Sequence, residues 1–294
     1  TLQTKNEDYP WFMNILVFDI GGTKMRIACS GDGTSLSEVM TFATPRTLEA
    51  GVNHIKTAAA KLGIDTPTIV VGGIRGLLSE DKSGIQNDGV LIKWIGKSLV
   101  AALQNEFKAP IYLENDTALA GLGEAVFGAG RGLDIVAYHT VSTGVGGVKV
   151  EEGKIDEASM GFEPGHQILD IDRTILGDDI TPTLENLVSG TALESRYGMK
   201  AYDIPQTDVV WDELAEYLGQ GLRNTILYWS PDAVVLGGAM IVGDPAISVD
   251  AIRKYTVASL DQFVPCPLIT KATLGDSSGL YGALAYASQH LVKQ

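Results

Sequence analysis

Asp19-Ile20-Gly21-Gly22-Thr23-Lys24 follows an apolar run with an acid, two glycines, a hydroxyl and a cation. Glycines let backbone N–H groups crowd a phosphate with no Cβ in the way, and an aspartate at a strand end can hold Mg²⁺ directly or through water. The same logic returns in Ser142-Thr143-Gly144-Val145-Gly146-Gly147 and in Leu236-Gly237-Gly238-Ala239, the latter leaving bare backbone for an adenine or ribose. Glu114-Asn115-Asp116 follows another apolar run, and an aspartate there could accept the proton of a substrate hydroxyl during phosphoryl transfer. Gly161-Phe162-Glu163-Pro164-Gly165-His166 sets a carboxylate and an imidazole around Pro-Gly, suited to neighbouring hydroxyls of a sugar. Each segment has a plainer alternative: tight-turn glycines, an N-cap at Asn115-Asp116, a surface Glu–His contact. Their ordered recurrence at expected strand ends points instead to a ligand site, because α/β folds bind ligands there. Neither a G-x-G-x-x-G fingerprint nor a G-x-x-x-x-G-K-S/T loop is present, which excludes two common nucleotide motifs.

The elements that would position these residues follow from apolar periodicity. Residues 14–18 and 25–29 read as a β-hairpin around the first glycine pair, 47–62 as a helix and 68–71 as a buried strand. A helix over 97–107, a strand over 110–113 and a helix over 119–127 follow, with Asn115 or Asp116 as the cap. A strand, glycine turn and strand recur at 135–140 and 145–150, with a further turn at Glu152-Gly153, as if the architecture restarts. Residues 159–183 read as an irregular functional loop, 185–197 and 209–228 as helices, 233–236 as a strand and 279–291 as a closing helix. Two hairpin starts, each followed by helices and strands, predict two α/β lobes with a cleft between them and a hinge near residues 115–119.

In order and wording these segments resemble the ROK family of repressors, uncharacterised frames and sugar kinases. The resemblance runs from about residue 14 to about residue 287 and includes Phe18 with Asp19-Ile20-Gly21-Gly22-Thr23-Lys24, Asn115-Asp116-Thr117-Ala118, Gly123-Glu124 and Phe127-Gly128-Ala129-Gly130-Arg131-Gly132. Ser142 to Gly147, Glu163-Pro164-Gly165-His166, Val234 to Ala239 and the Gly275-Asp276-Ser277-Ser278-Gly279 stretch belong to it as well. It implies a two-lobed actin-like ATPase, ribonuclease H-like α/β fold with an interlobe cleft. The lobes would be 1–116, completed by the closing helix 279–294, and 117–278. It implies an ATP-dependent hexose kinase with Asp116 as the base toward the primary hydroxyl of the sugar. Asn87, Asn115, Glu163, His166 and Glu185 would hold the other hydroxyls, and Asp19 would act through Mg²⁺, indirectly. Gly21, Gly22, Thr23, Lys24, Thr143, Gly144, Gly237 and Gly238 would line the nucleotide. A homodimer is the assembly the resemblance suggests.

The chain also departs from the family pattern. Members that bind structural zinc carry a cysteine cluster after their Gly-His, whereas no cysteine lies between His166 and Glu185; no zinc site is expected, and the placement of Glu185 loses its anchor. Gly73-Ile74-Arg75-Gly76 stands where Pro-Gly is common, and Asn87 precedes Trp94 by seven positions rather than four. Glucose is the leading acceptor, with N-acetylmannosamine, another amino sugar or fructose as alternatives.

Composition limits the partners. The net charge of −14 over 294 residues repels nucleic acid and anionic lipid, so neither is an expected partner. The same field repels a nucleoside triphosphate, so such a site needs Mg²⁺ and aimed backbone N–H groups. Two distant cysteines, Cys29 and Cys266, argue against a disulfide framework. No apolar run approaches the roughly 20 residues needed to cross a bilayer. Thr1–Trp11 lacks the basic start and apolar middle of a signal peptide and reads as a loose leader, so a cytoplasmic location is expected. A sugar-responsive repressor would need a basic helix-turn-helix ahead of residue 14, and a silent sensor would be expected to lose Asp116.

Overall fold

Unbroken apolar runs rich in β-branched residues, such as Ile15-Leu16-Val17-Phe18 and Ala233-Val234-Val235-Leu236, suit strands covered on both faces, and each forms a buried strand at or next to the centre of a sheet. The computed structural model describes residues 13–156, 158 and 161–292. The leader read over Thr1–Trp11, Ser159 and Met160 of the irregular loop and the last two residues of the closing segment lie outside the described residues.

The chain divides into two compact units, one holding the described residues through Glu114 and from Ala287 onward, the other Asn115–Tyr286. In the first, β1 (Ile15–Ile20) pairs antiparallel with β2 (Lys24–Ser30), and β2 with β3 (Met40–Ala43). The chain crosses through α1 (Leu48–Lys61) to β4 (Ile69–Ile74), parallel to β1. A small hairpin of β5 (Leu77–Leu78) and β6 (Ile85–Asn87) precedes α2 (Leu99–Phe107) and β7 (Ile111–Asn115). The strand order is β3-β2-β1-β4-β7. Thr47 and Ser98 cap the two helices by accepting from the N–H groups of Ala50 and Ala101. Phe18, Ile55, Trp94 and Leu103 form the centre of this unit's core. The sequence expected β4 to end near residue 71; it runs to Ile74 because Gly72 and Gly73 keep pairing with Phe18 and Asp19.

The second unit opens with α3 (Asp116–Val126). β8 (Ile135–Val141) and β9 (Val145–Glu151) form a hairpin extended by β10 (Lys154–Ile155). After the irregular segment come α4 (Leu184–Val188), α5 (Gly190–Tyr197) and the long α6 (Val210–Trp229). Then β11 (Ala233–Gly237), α7 (Ala239–Val242), α8 (Val249–Leu260), β12 (Leu268–Lys271) and α9 (Ser278–Leu291) complete the chain. The strand order β10-β9-β8-β11-β12, with β11 parallel to both β8 and β12, repeats the plan of the first sheet. Leu184, Leu218, Val234, Ile241 and Ile252 lie in its separate core.

Two helical expectations shift. The helix expected from residue 119 starts at Asp116, because Asn115 Oδ1 accepts from Thr117 N at 3.0 Å and Ala118 N at 3.1 Å. The single helix expected over 185–197 is broken at Ser189, whose backbone is extended (φ −71°, ψ 156°). Ser189 Oγ caps α5 at Ala192 N, 3.2 Å away, and Gly190 N donates to Ser142 O at 2.7 Å. That bond to the β8–β9 turn makes the break a tertiary effect.

Candidate active site

The turn between β8 and β9 gathers most of the expected residues of the second unit. Glu185, in the first turn of α4, accepts from Val145 N through Oε2 at 2.8 Å. A Cβ placed on Gly144 would lie 2.6 Å from the same oxygen, so the carboxylate rests on the turn itself. Thr143, exposed, is joined to the same region by Thr191 N donating to its carbonyl at 3.4 Å. Glu163 and His166 flank a short 3-10 turn whose Pro164 packs against Gly147 and whose Gly165 packs on Val145 O. His166 and Glu185 both lie within electrostatic reach of Glu163. Partial desolvation raises the pKa of Glu163 above the ordinary value; His166 opposes the rise and Glu185 adds to it.

The helix that Asp116 opens, α3, starts against this turn. A Cβ on Gly146 would meet Thr117 Cγ2 and Oγ1 at 3.2 Å, which sets the start of α3 against the hairpin. Asp116 is half-buried, and its Oδ1 accepts from Thr117 N at 2.8 Å, which fixes the carboxylate at the helix N-terminus. Asn115 is both the last residue of β7 and the cap of α3.

Gly237 and Gly238 lie at the end of β11, where Gly237 pairs with Thr140 of β8. Gly238 adopts φ +85°, and a Cβ there would strike Val141 O and come within 2.7 Å of Thr140 Oγ1. Only glycine suits that position, and its backbone faces the same strand ends as the β8–β9 turn.

The remaining expected residues belong to the first unit. Gly21 N donates to Lys24 O at 3.0 Å, and Thr44 N and Oγ1 tie the turn through Thr23 O and Gly21 O. Thr23 and Lys24 are exposed. Asp19, at the end of β1, forms an ion pair with Arg26 at 3.7 Å, and its side chain is 15% exposed. Among the described residues no three His, Cys, Asp or Glu side chains gather to hold a metal ion. One carboxylate at a strand end suits Mg²⁺ that keeps several waters and rests on phosphate oxygens, so Asp19 fits the indirect role. Asn87 ends β6, exposed, and pairs with Leu77.

Two side chains stand out that sequence reasoning did not assign. Arg75 follows β4, its backbone N donating to Ile20 O at 3.0 Å, and its Nε is paired with Asp88 Oδ1 at 2.9 Å. Glu124 on α3 is fully buried and accepts from Thr273 N, Leu274 N, Ser278 Oγ and Ala129 N. The available signal for Arg75 was its place directly after the apolar run Ile69–Ile74, the same station that marked Asp19.

A sequence model of the ROK family matches residues 15–290. The chain is 26% identical to a fructokinase of Lactococcus lactis subsp. cremoris, over 85% of this chain and 86% of that one. Among solved structures it resembles a ROK hexokinase from Thermus thermophilus, with TM-score 0.79 and 26% identity over 96% of this chain and 100% of the other. It also resembles a ROK family glucokinase from Streptomyces griseus in complex with glucose and AMPPNP, with TM-score 0.75 and 26% identity over 94% and 99%. No helix among the described residues is long and apolar enough to cross a membrane.

Proposed function

The chain belongs to the ROK family, and from that premise we propose that it is an ATP-dependent hexose kinase. It would move the γ-phosphoryl group to the primary hydroxyl of the sugar. The observation that carries this reading is the meeting, at one hairpin turn, of the Asp116 helix start with Glu185, Glu163 and His166. A base, several hydroxyl-reading groups and a glycine turn are what phosphoryl transfer to an alcohol requires. The AMPPNP bound to the Streptomyces griseus relative supports ATP as donor.

In this reading Asp116 takes the proton as the sugar oxygen forms its bond to phosphorus and the bond to the leaving ADP oxygen breaks. Asn115, Glu163, His166 and Glu185, with Asn87 of the first unit, orient the ring by hydrogen bonds. The Gly21–Lys24 turn and the Thr143-Gly144 and Gly237-Gly238 backbones would hold the nucleotide, and Asp19 would hold Mg²⁺ through water, an ion that would supply neutralisation of the phosphate charge. Glucose is the first acceptor to test. Fructose is the second, because the Lactococcus relative is a fructokinase, and N-acetylmannosamine the third.

The test is ADP release from purified protein with Mg-ATP and a hexose panel. Release is expected only with an acceptor present, and Asp116→Asn should lower kcat by about 10²–10⁴-fold. Undiminished turnover in that variant would remove Asp116 from its role.

A further inference from the structure

The guanidinium of Arg75 covers one face of Gly22. A Cβ built on Gly22 would lie 2.5 Å from Nη1 and 3.6 Å from both Cδ and Cζ. One hydrogen bond holds the side chain, from Nε to Asp88 Oδ1, and Asp88 is itself held by Val90 N and Leu91 N on Oδ2. Burial works against ionisation of Asp88, yet the N–H groups of Leu91 and Val90, with Arg75, outweigh it and keep the carboxyl below the usual aspartate range. Nη1 and Nη2 make no hydrogen bond or ion pair among the described residues, and the side chain is 32% exposed. A forked cation is thus locked from behind, with Nη1 against the glycine turn and Nη2 on the same unbonded end of the guanidinium. That fork matches phosphate oxygens in geometry and charge.

We propose that Arg75 grips the transferring phosphoryl group of the donor, as a charge-stabilising residue supplied by the chain itself. The proposal rests on the kinase reading above and deepens it. Gly22 is the place where a phosphate would approach bare backbone, so an anion there meets N–H groups and the fork together. As the bond to the leaving oxygen breaks, negative charge on the phosphoryl oxygens would be met by Nη1 and Nη2 without reorganisation, because Asp88 has already fixed the plane of the guanidinium.

The test compares wild type with Arg75→Met and Arg75→Lys. It measures kcat and KM for MgATP and for sugar, and the Kd of AMP-PNP and of ADP. Arg75→Met should lower kcat/KM for MgATP by at least about tenfold while leaving the Kd of ADP within about twofold, since ADP lacks the group being gripped. Arg75→Lys should recover part of the loss, because charge returns without the fork. Three results would overturn the proposal: donor parameters of Arg75→Met within about twofold of wild type, equal weakening of ADP and AMP-PNP binding, or a change confined to the KM for sugar. The second would mark a role in holding the turn, and the third a role in reading the acceptor. Failure of the parent reading is separate: wild type would release no ADP with any hexose, while Arg75→Met could still lose its preference for AMP-PNP over ADP.

Discussion

Glu163 is an exposed residue, yet neighbouring atoms partly desolvate its carboxyl; that and Glu185 favour the protonated form and outweigh the opposing pull of His166. A glutamate whose folded pKa exceeds the free value contributes stability that is full below the free value and lost as pH rises through the folded one. At neutral pH the ionised group therefore opposes folding. Glu163→Gln should unfold at a higher temperature than wild type at pH 7, with the difference fading on acidification. If the carboxylate accepts sugar hydroxyls, the same variant should raise the KM for acceptor about tenfold or more, the usual worth of a hydrogen bond to a charged group. Wild-type KM should also begin to rise on acidification at a higher pH than an ordinary glutamate would give. Thermal melts across pH and acceptor titrations decide this; an unchanged or lower melting temperature at pH 7 would refute it.

Elements are tied together by polar groups as much as by apolar faces. Glu124 of α3 receives the N–H groups of Thr273 and Leu274 and the hydroxyl of Ser278, at the approach to α9. A buried carboxylate is tolerable only when so saturated. Glu124→Gln would turn an amide N–H₂ toward those donors, so denaturant unfolding should report a loss of about 1–3 kcal/mol; a variant as stable as wild type would show the network to be dispensable. Much of the element plan was legible, because strand ends were announced by acids and glycines after apolar runs, as at Asp19 and Gly237. Contacts between distant segments were not. The break at Ser189 depends on a bond to Ser142, and the seat of Glu185 on Val145 N joins residues 40 apart, so no local pattern announces either. Arg75 was visible only as a departure from Pro-Gly, since its meaning lies in its approach to Gly22.

At the scale of the whole molecule the net charge of −14 sets the long-range field. An anionic donor must approach against it, whereas a neutral hexose does not feel it. Raising ionic strength from about 0.01 M to about 0.15 M shortens the screening length from about 30 Å to about 8 Å. The kcat/KM for MgATP should then rise severalfold while the KM for a neutral acceptor stays constant. A fall instead would mean that the local cations at Arg75 and Lys24 dominate the approach.

Asn115 finishes β7 and at the same time opens α3, so strand and helix share a residue with no connecting loop between them. No loop residue stands between the two elements to take up a change in length. One residue gained or lost in the strand would be handed straight to the helix as a turn of about 100° about its axis. Asp116 would swing to another side of α3, and Thr117 would leave Gly146. Length variation in this family member should therefore gather in its loops and be shunned between residues 111 and 117.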